Sequence, residues 1–165
     1  MMSPEGGPNL ATADLTRVLD EASVRYELLP HPHTETATAE AEALGLSPAD
    51  VAKTLVVKTL DGYLRVVLAA SDRLDLRKLR ELLGAGKQEV QLATEDELRR
   101  EFPEFELGAV PPVGGGRRDR VVVDRRLAGR GSLVLEAGSH DESVRLAADD
   151  LVRVAGAELA DICAD

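Results

Sequence analysis

Apolar positions recur at helical spacing between Leu10 and Ser23, with Leu15, Val18, Leu19 and Ala22 on one face, which predicts an amphipathic helix. Val24 to Leu29 reads as a strand ended by Pro30 and Pro32. An alanine-rich stretch from about Thr38 to Leu44 predicts a short helix, with Gly45 placed as its C-terminal cap. Ser47 is a good N-cap and Pro48 a good first helical residue, so another short helix starts there. After Lys53 the chain turns β-branched and apolar through Thr54, Leu55, Val56 and Val57, the pattern of a buried strand. Asp61-Gly62 supplies a hairpin turn into a second strand, Tyr63 to Ala70.

Ser71 or Asp72 is placed to cap a helix carrying Leu76, Leu79, Leu82 and Leu83, which ends at Gly84 or Gly86. A strand is expected from Glu89 to Ala93. Thr94 with Glu97 makes a capping box for a helix that Pro103 stops. Gly108 to Gly116 is a loop rich in glycine and proline. Strands follow at 120–124, 132–137 and 143–146, then a helix over 149–154 and a closing strand over 158–163. About seven strands and five short helices result, without regular strand–helix alternation. The hairpins indicate a mixed, mostly antiparallel sheet with helices packed outside. The expectation is one α/β domain over residues 9–165, preceded by a loose tail at 1–8.

Composition narrows the function classes. With 165 residues, 44% hydrophobic and 30% charged, the chain has the make-up of an ordinary soluble domain with a real core. Aromatic residues are 2% of the total, so the core is aliphatic and base stacking on exposed rings is disfavoured. No apolar run approaches the ~20 residues of a membrane helix, and no signal-peptide pattern opens the chain. A single cysteine, Cys163, excludes an internal disulfide and fits a reducing compartment. A cytoplasmic protein without membrane contact is the expectation. No sustained heptad or long apolar face marks an oligomer interface.

The formal charge of −10 counts against a broad nucleic-acid surface. Between Gly114 and Arg130, however, six arginines face two aspartates, a local +4 that leaves −14 for the remainder. Such a patch, beginning at Arg117 and Arg118, suits docking of a phosphate end. Arginines solvating a loop and a strand edge fit the same residues.

Several chemistries lack their parts. His31, His33 and His140 are the only histidines, and with one isolated cysteine they do not make a zinc site. There is no Gly-x-Ser-x-Gly elbow, and Gly114-Gly115-Gly116 lacks the ending of a P-loop. Cys163 reads as a small buried residue and His140 as part of a Gly-Ser-His-Asp turn. Neither metal nor cofactor is expected. Lys53, flanked by apolar residues, either lays its stem on the core and reaches water or holds a cation at a pocket rim to meet a carbonyl or phosphate. Spacing does not choose between these. With a loop whose backbone N–H groups bind a carbonyl oxygen, such a lysine suits water attack on an activated ester.

The motifs in order are His33-Thr34, Leu44-Gly45, Val51-Ala52-Lys53-Thr54-Leu55-Val56-Val57, Leu74-Asp75-Leu76-Arg77-Lys78-Leu79, Leu83-Gly84-Ala85, Gly108-Ala109-Val110-Pro111-Pro112 and Ala137-Gly138. Together they resemble the YbaK/ProX family of aminoacyl-tRNA deacylases, free-standing relatives of the prolyl-tRNA synthetase editing domain, over Tyr26 to Ile162. The resemblance implies a mixed sheet curled into a partial barrel with helices around it. It also implies hydrolysis of the ester between a wrong amino acid and the terminal adenosine of a tRNA. Lys53 matches the family's essential lysine, and Gly108 to Pro111 the loop that helps bind the aminoacyl group. His31, His33, Ser71, Gly138 and Ser143 join them as expected substrate-binding residues. His31 stands where some relatives carry tyrosine, Ser143 near an aspartate of others, and Ala109 in place of the more usual second glycine. These departures bear on side-chain specificity. In relatives that act on cysteinyl-tRNA the substrate's own thiol does much of the work.

The leading expectation is therefore a hydrolase acting in trans on mischarged tRNA-Pro carrying cysteine or alanine. Its partners would be the 3′ acceptor end of an aminoacyl-tRNA and prolyl-tRNA synthetase. The alternatives are a non-catalytic module that binds tRNA ends or a synthetase, and a hydrolase of small acyl esters.

Overall fold

The computed structural model describes residues 10–165, and the tail expected at 1–8 lies outside them. In chain order its elements are α1 (Leu10–Glu21), β1 (Tyr26–Pro30), α2 (Ala37–Leu44), β2 (Ala52–Thr59), β3 (Gly62–Ala69), α3 (Leu76–Leu83) and β4 (Gln91–Leu92). These are followed by α4 (Glu95–Glu101), β5 (Arg120–Asp124), α5 (Arg125–Ala128), β6 (Ser132–Ser139), β7 (Glu142–Ala147), α6 (Ala148–Ala155) and β8 (Glu158–Ala160). Single 3₁₀ turns stand at Pro48–Asp50 and Lys87–Glu89.

The strands divide into two sheets, β1-β7-β6 and β4-β2-β3-β5-β8. All pairs are antiparallel except β3 with β5 and β5 with β8. The mixed, mostly antiparallel architecture is thus as read, without closure into a barrel. A lone parallel bridge, Val51 to Val134, joins one sheet to the other. Neighbouring residues of the central strands feed opposite faces, as the two-residue period requires. Val67 and Val123 pack with Leu15, Leu19, Leu133, Leu135 and Leu151, whereas Val66 and Val122 pack with Leu79, Val90 and Ile162. Both faces of the five-stranded sheet are therefore buried, which accounts for the near-continuous apolar runs of β3 and β5.

Local chemistry sets most boundaries. Thr36 Oγ1 accepts the Ala39 N–H at the start of α2, and Gly45 ends that helix in the left-handed region at φ 69°. Ser47 Oγ accepts the Ala49 N–H, and Thr94 with Glu97 forms the capping box of α4. Other boundaries differ from the sequence reading. Lys53 lies inside β2, one residue past its start, not at the end of a helix. Asp75, not Ser71 or Asp72, caps α3, because the chain first pairs Leu74 with Cys163. The one-turn helix α5 is too short to show a period, and it went unread.

The 108–116 loop has no ladder partners of its own, and a buried arginine holds it. Arg65, on β3 and 1% exposed, donates from Nη1 to the Pro111 carbonyl at 2.9 Å and from Nη2 to the Gly114 carbonyl at 2.7 Å. Its Nε donates to Asp119 at 2.9 Å, and its guanidinium lies 5.0 Å from the centre of the Phe102 ring. Arg65→Met removes one partner of a buried ion pair and leaves two loop carbonyls without donors. Urea denaturation should show a loss of about 3–5 kcal/mol; a loss under ~1 kcal/mol would mean that the loop is held by something else.

Candidate functional site

The bridge between the sheets determines where the candidate cleft lies. Val51 and Val134 are paired in parallel. Lys53 and Glu136 each follow two residues later, at matched heights on β2 and β6 and on the same side of their strands. Both line a cleft of about 240 Å³, closed by Thr36 to Thr38 at the head of α2 and by Gly108, Ala109 and Val110 of the loop. Lys53 Nζ donates to the Asp72 carbonyl at 2.7 Å and to the Ala70 carbonyl at 3.5 Å. An ammonium has three N–H donors, so one remains for a ligand. Burial pulls the Lys53 pKa below its usual value. In the loop, the Ala109 N–H is taken by the Glu106 carbonyl at 2.9 Å. No acceptor among the described residues meets the N–H groups of Gly108 and Val110.

Behind the cleft lies a buried network that the sequence reading missed. His140 Nε2 donates to the Leu107 carbonyl at 2.6 Å, and Nδ1 stands 2.9 Å from Glu136 Oε2. Glu40, fully buried on α2, has Oε2 bound to the Ser143 hydroxyl, which in turn lies 2.8 Å from His31 Nε2. Glu40 Oε1 has no partner among the described residues. Burial pushes Glu40 up to about 7, against the pull of the Ser143 hydroxyl and His140. Burial, then the charge of Glu40, pushes Glu136 up as well. At His140 burial acts downward but is outweighed by the Leu107 carbonyl and Glu136, so this histidine too retains its proton above its usual range. One signal was present in the sequence: Glu136 interrupts the apolar run Leu133-Val134-Leu135 and Ala137. Glu40 gave none, since a glutamate in an alanine-rich helix reads as a solvated one.

The structure brings Lys53, Gly108, Ala109 and Val110 together and sets the other expected site residues apart. The Pro111 carbonyl faces Arg65. His31 and Ser143 belong to the Glu40 network, while His33 bonds Glu35 and meets the His140 ring edge-on at 5.3 Å. Ser71 lines a neighbouring hollow with Asp72, Arg126 and Arg130. Gly138 has a packing role at φ 96°, where a Cβ would stand 2.7 Å from Phe105 Cδ1. Arg117 is committed to Asp119 and Glu101 and lies over the Phe102 ring, 4.4 Å from its centre, whereas Arg118 is exposed and forms no ion pair among the described residues. The cluster of Asp72, Asp124 and Cys163 could hold a metal by spacing alone. However, Asp124 is already engaged by Arg126 and the Ile162 N–H, and burial pushes the Cys163 thiol up to about 12, so it is a neutral thiol and a poor ligand.

Carboxyls held protonated by burial stabilise the fold at low pH. Glu40 contributes fully below its unfolded value of 4.5 and loses that contribution as pH rises through about 7. The Glu136–His140 pair acts in the same direction. Stability of the wild type should therefore fall between pH 4.5 and 7, by on the order of 1–3 kcal/mol for Glu40. In Glu40→Gln that fall should shrink. Urea midpoints across this range would test it, and an unchanged slope in the variant would refute the assignment.

Residues 31–154 match the profile of the aminoacyl-tRNA editing domain. A solved structure described as that of a candidate trans-editing enzyme for prolyl-tRNA synthetase is 25% identical, with a TM-score of 0.83 over 100% of both chains. A hypothetical protein, APE2540, is 27% identical with a TM-score of 0.83, covering 92% of this chain and 99% of its own. A scaffold used for computational epitope grafting shares the fold at 22% identity, with a TM-score of 0.84 over 99% of each chain. The cleft between Lys53 and Glu136 falls within the matched segment, and the chain belongs to the aminoacyl-tRNA editing domain family.

Proposed function

We propose that this chain is a trans-editing deacylase that hydrolyses the ester of tRNA-Pro carrying a small noncognate amino acid, alanine or cysteine. One observation carries the reading: Lys53 and the Gly108–Val110 backbone converge in a cleft of about 240 Å³ lined by Ala52, Ala70 and Leu135, a size suited to a short side chain. Water attacks the acyl carbon, and the bond to the ribose oxygen of the terminal adenosine breaks. That oxygen takes a proton, and free amino acid and tRNA leave. The Gly108 and Val110 N–H groups are the donors available as negative charge builds on the carbonyl oxygen. Lys53 orients an acyl or phosphate oxygen with its third donor. No protein nucleophile is required, in keeping with the buried, neutral Cys163.

The tRNA body is proposed to pass the exposed Arg118, with Arg117 anchoring the segment beneath it. Arg120, two residues on, pairs with Leu64 of β3 while Lys53 pairs with Leu68. The patch is thus roughly 13 Å along the sheet from the lysine, which suits contact with nucleotides behind the terminal one.

Two measurements test the reading. Ester loss from tRNA-Pro charged with alanine, cysteine or proline should be rapid for one noncognate amino acid and slower by about 100-fold or more in Lys53→Ala. Equal slow loss in both proteins would leave a tRNA-end or synthetase-binding module as the better account. Arg118→Glu should weaken binding of every charged tRNA and lower the slope of log affinity against log salt by roughly one contact. An unaltered slope would remove Arg118 from the interface.

A further inference from the structure

The cleft contains one cation, Lys53, which forms no ion pair among the described residues, and two carboxyls: the exposed Glu35, which bonds His33, and Glu136, which is largely buried and has no cation of its own except through His140. His140 holds Glu136 Oε2 at 2.9 Å, and Glu136 lines the cleft with its Oε1 in no hydrogen bond among the described residues. Behind it Glu40 adds a second, fully buried carboxyl with an oxygen that has no partner among the described residues. A buried acceptor without a partner costs free energy, and although burial holds both acids toward their protonated forms, a cation arriving beside Glu136 favours its ionised form and is paired by it.

On the deacylase reading, the ligand that enters supplies such a charge. An aminoacyl ester carries, one carbon from its carbonyl, an α-amino group that titrates near neutral pH and is positive at the low end of that range. With the acyl or phosphate oxygens at Lys53, the amine points to the opposite wall. We propose that Glu136 binds the α-ammonium group of the aminoacyl ester, with Glu40 behind it as a second acid, so that the site selects amino acids over uncharged acyl groups of the same shape.

The probe is tRNA-Pro esterified with lactate, which matches alanine in size and replaces the amine by a hydroxyl. At pH 6.5 the wild type should show a KM for alanyl-tRNA on the order of 10- to 100-fold below that for lactyl-tRNA, the range of a hydrogen bond to a charged group. Glu136→Gln should raise the alanyl KM until the two lie within about threefold, with the lactyl KM and both kcat values little changed. A fall in kcat for both esters would instead make Glu136 a general base and overturn the proposal, as would equal KM values in the wild type. Should Glu136→Gln fail to fold, the wild-type KM ratio decides. If neither ester is hydrolysed by the wild type, the deacylase reading fails, and the Kd ratio of the two charged tRNAs then tests the ammonium site independently: no discrimination in binding would overturn it.

Discussion

A single buried guanidinium sets the shape on which the site depends. Arg65 emerges from a core strand into a loop of glycines and prolines, where few side chains exist to pack and no ladder hydrogen bonds are available. Only a side chain with several donors in a rigid plane can hold two carbonyls and a carboxylate at once, and its charge persists at every relevant pH. Asp119 neutralises it, Phe102 covers it, and Arg117 shares the same carboxylate. The loop that borders the cleft is thus tied to the middle of the five-stranded sheet, and the positions of Gly108 to Val110 follow from that tie.

The two long walls of the cleft are electrostatically unlike. Lys53 keeps its ammonium near water and shares it with backbone carbonyls, while Glu136 and Glu40 are removed from water and resist ionisation. This contrast arises from depth: the lysine stem spans apolar surface to the rim, whereas the glutamates are enclosed by α2, β6 and the turn bearing His140. A polar ester entering between them meets a fixed cation at one end and, at the other, acids whose ionisation an incoming positive charge would favour.

Much of the fold was legible because its signals are local. The capping box at Thr94 and Glu97, the Ser47-Pro48 start and the left-handed Gly45 each act within four residues, and the apolar periods of α1, β2 and β3 needed no knowledge of their partners. What could not be read was relational. The division of the strands into two sheets depends on pairings between distant segments, and the cap of α3 at Asp75 depends on Leu74 meeting Cys163. In the site, Lys53 stood out as a cation amid apolar residues. Arg65 did not, although it too interrupts a strand, because its partners lie 46 to 54 positions away. The Glu40 network was invisible for the same reason: Ser143 is 103 residues distant.

The lone Val51–Val134 bridge has an evolutionary corollary. Each wall of the cleft belongs to its own sheet, one around β2 and β3, the other around β6 and β7, and the single backbone bridge between them sits on a core that both sheets share. Mutations in that shared core act on both walls, whereas a change in a side chain lining one strand of the cleft leaves the opposite strand's lining in place. A lineage can therefore keep its lysine wall constant and diversify the acidic one, acquiring new substrate preferences by small, separable steps.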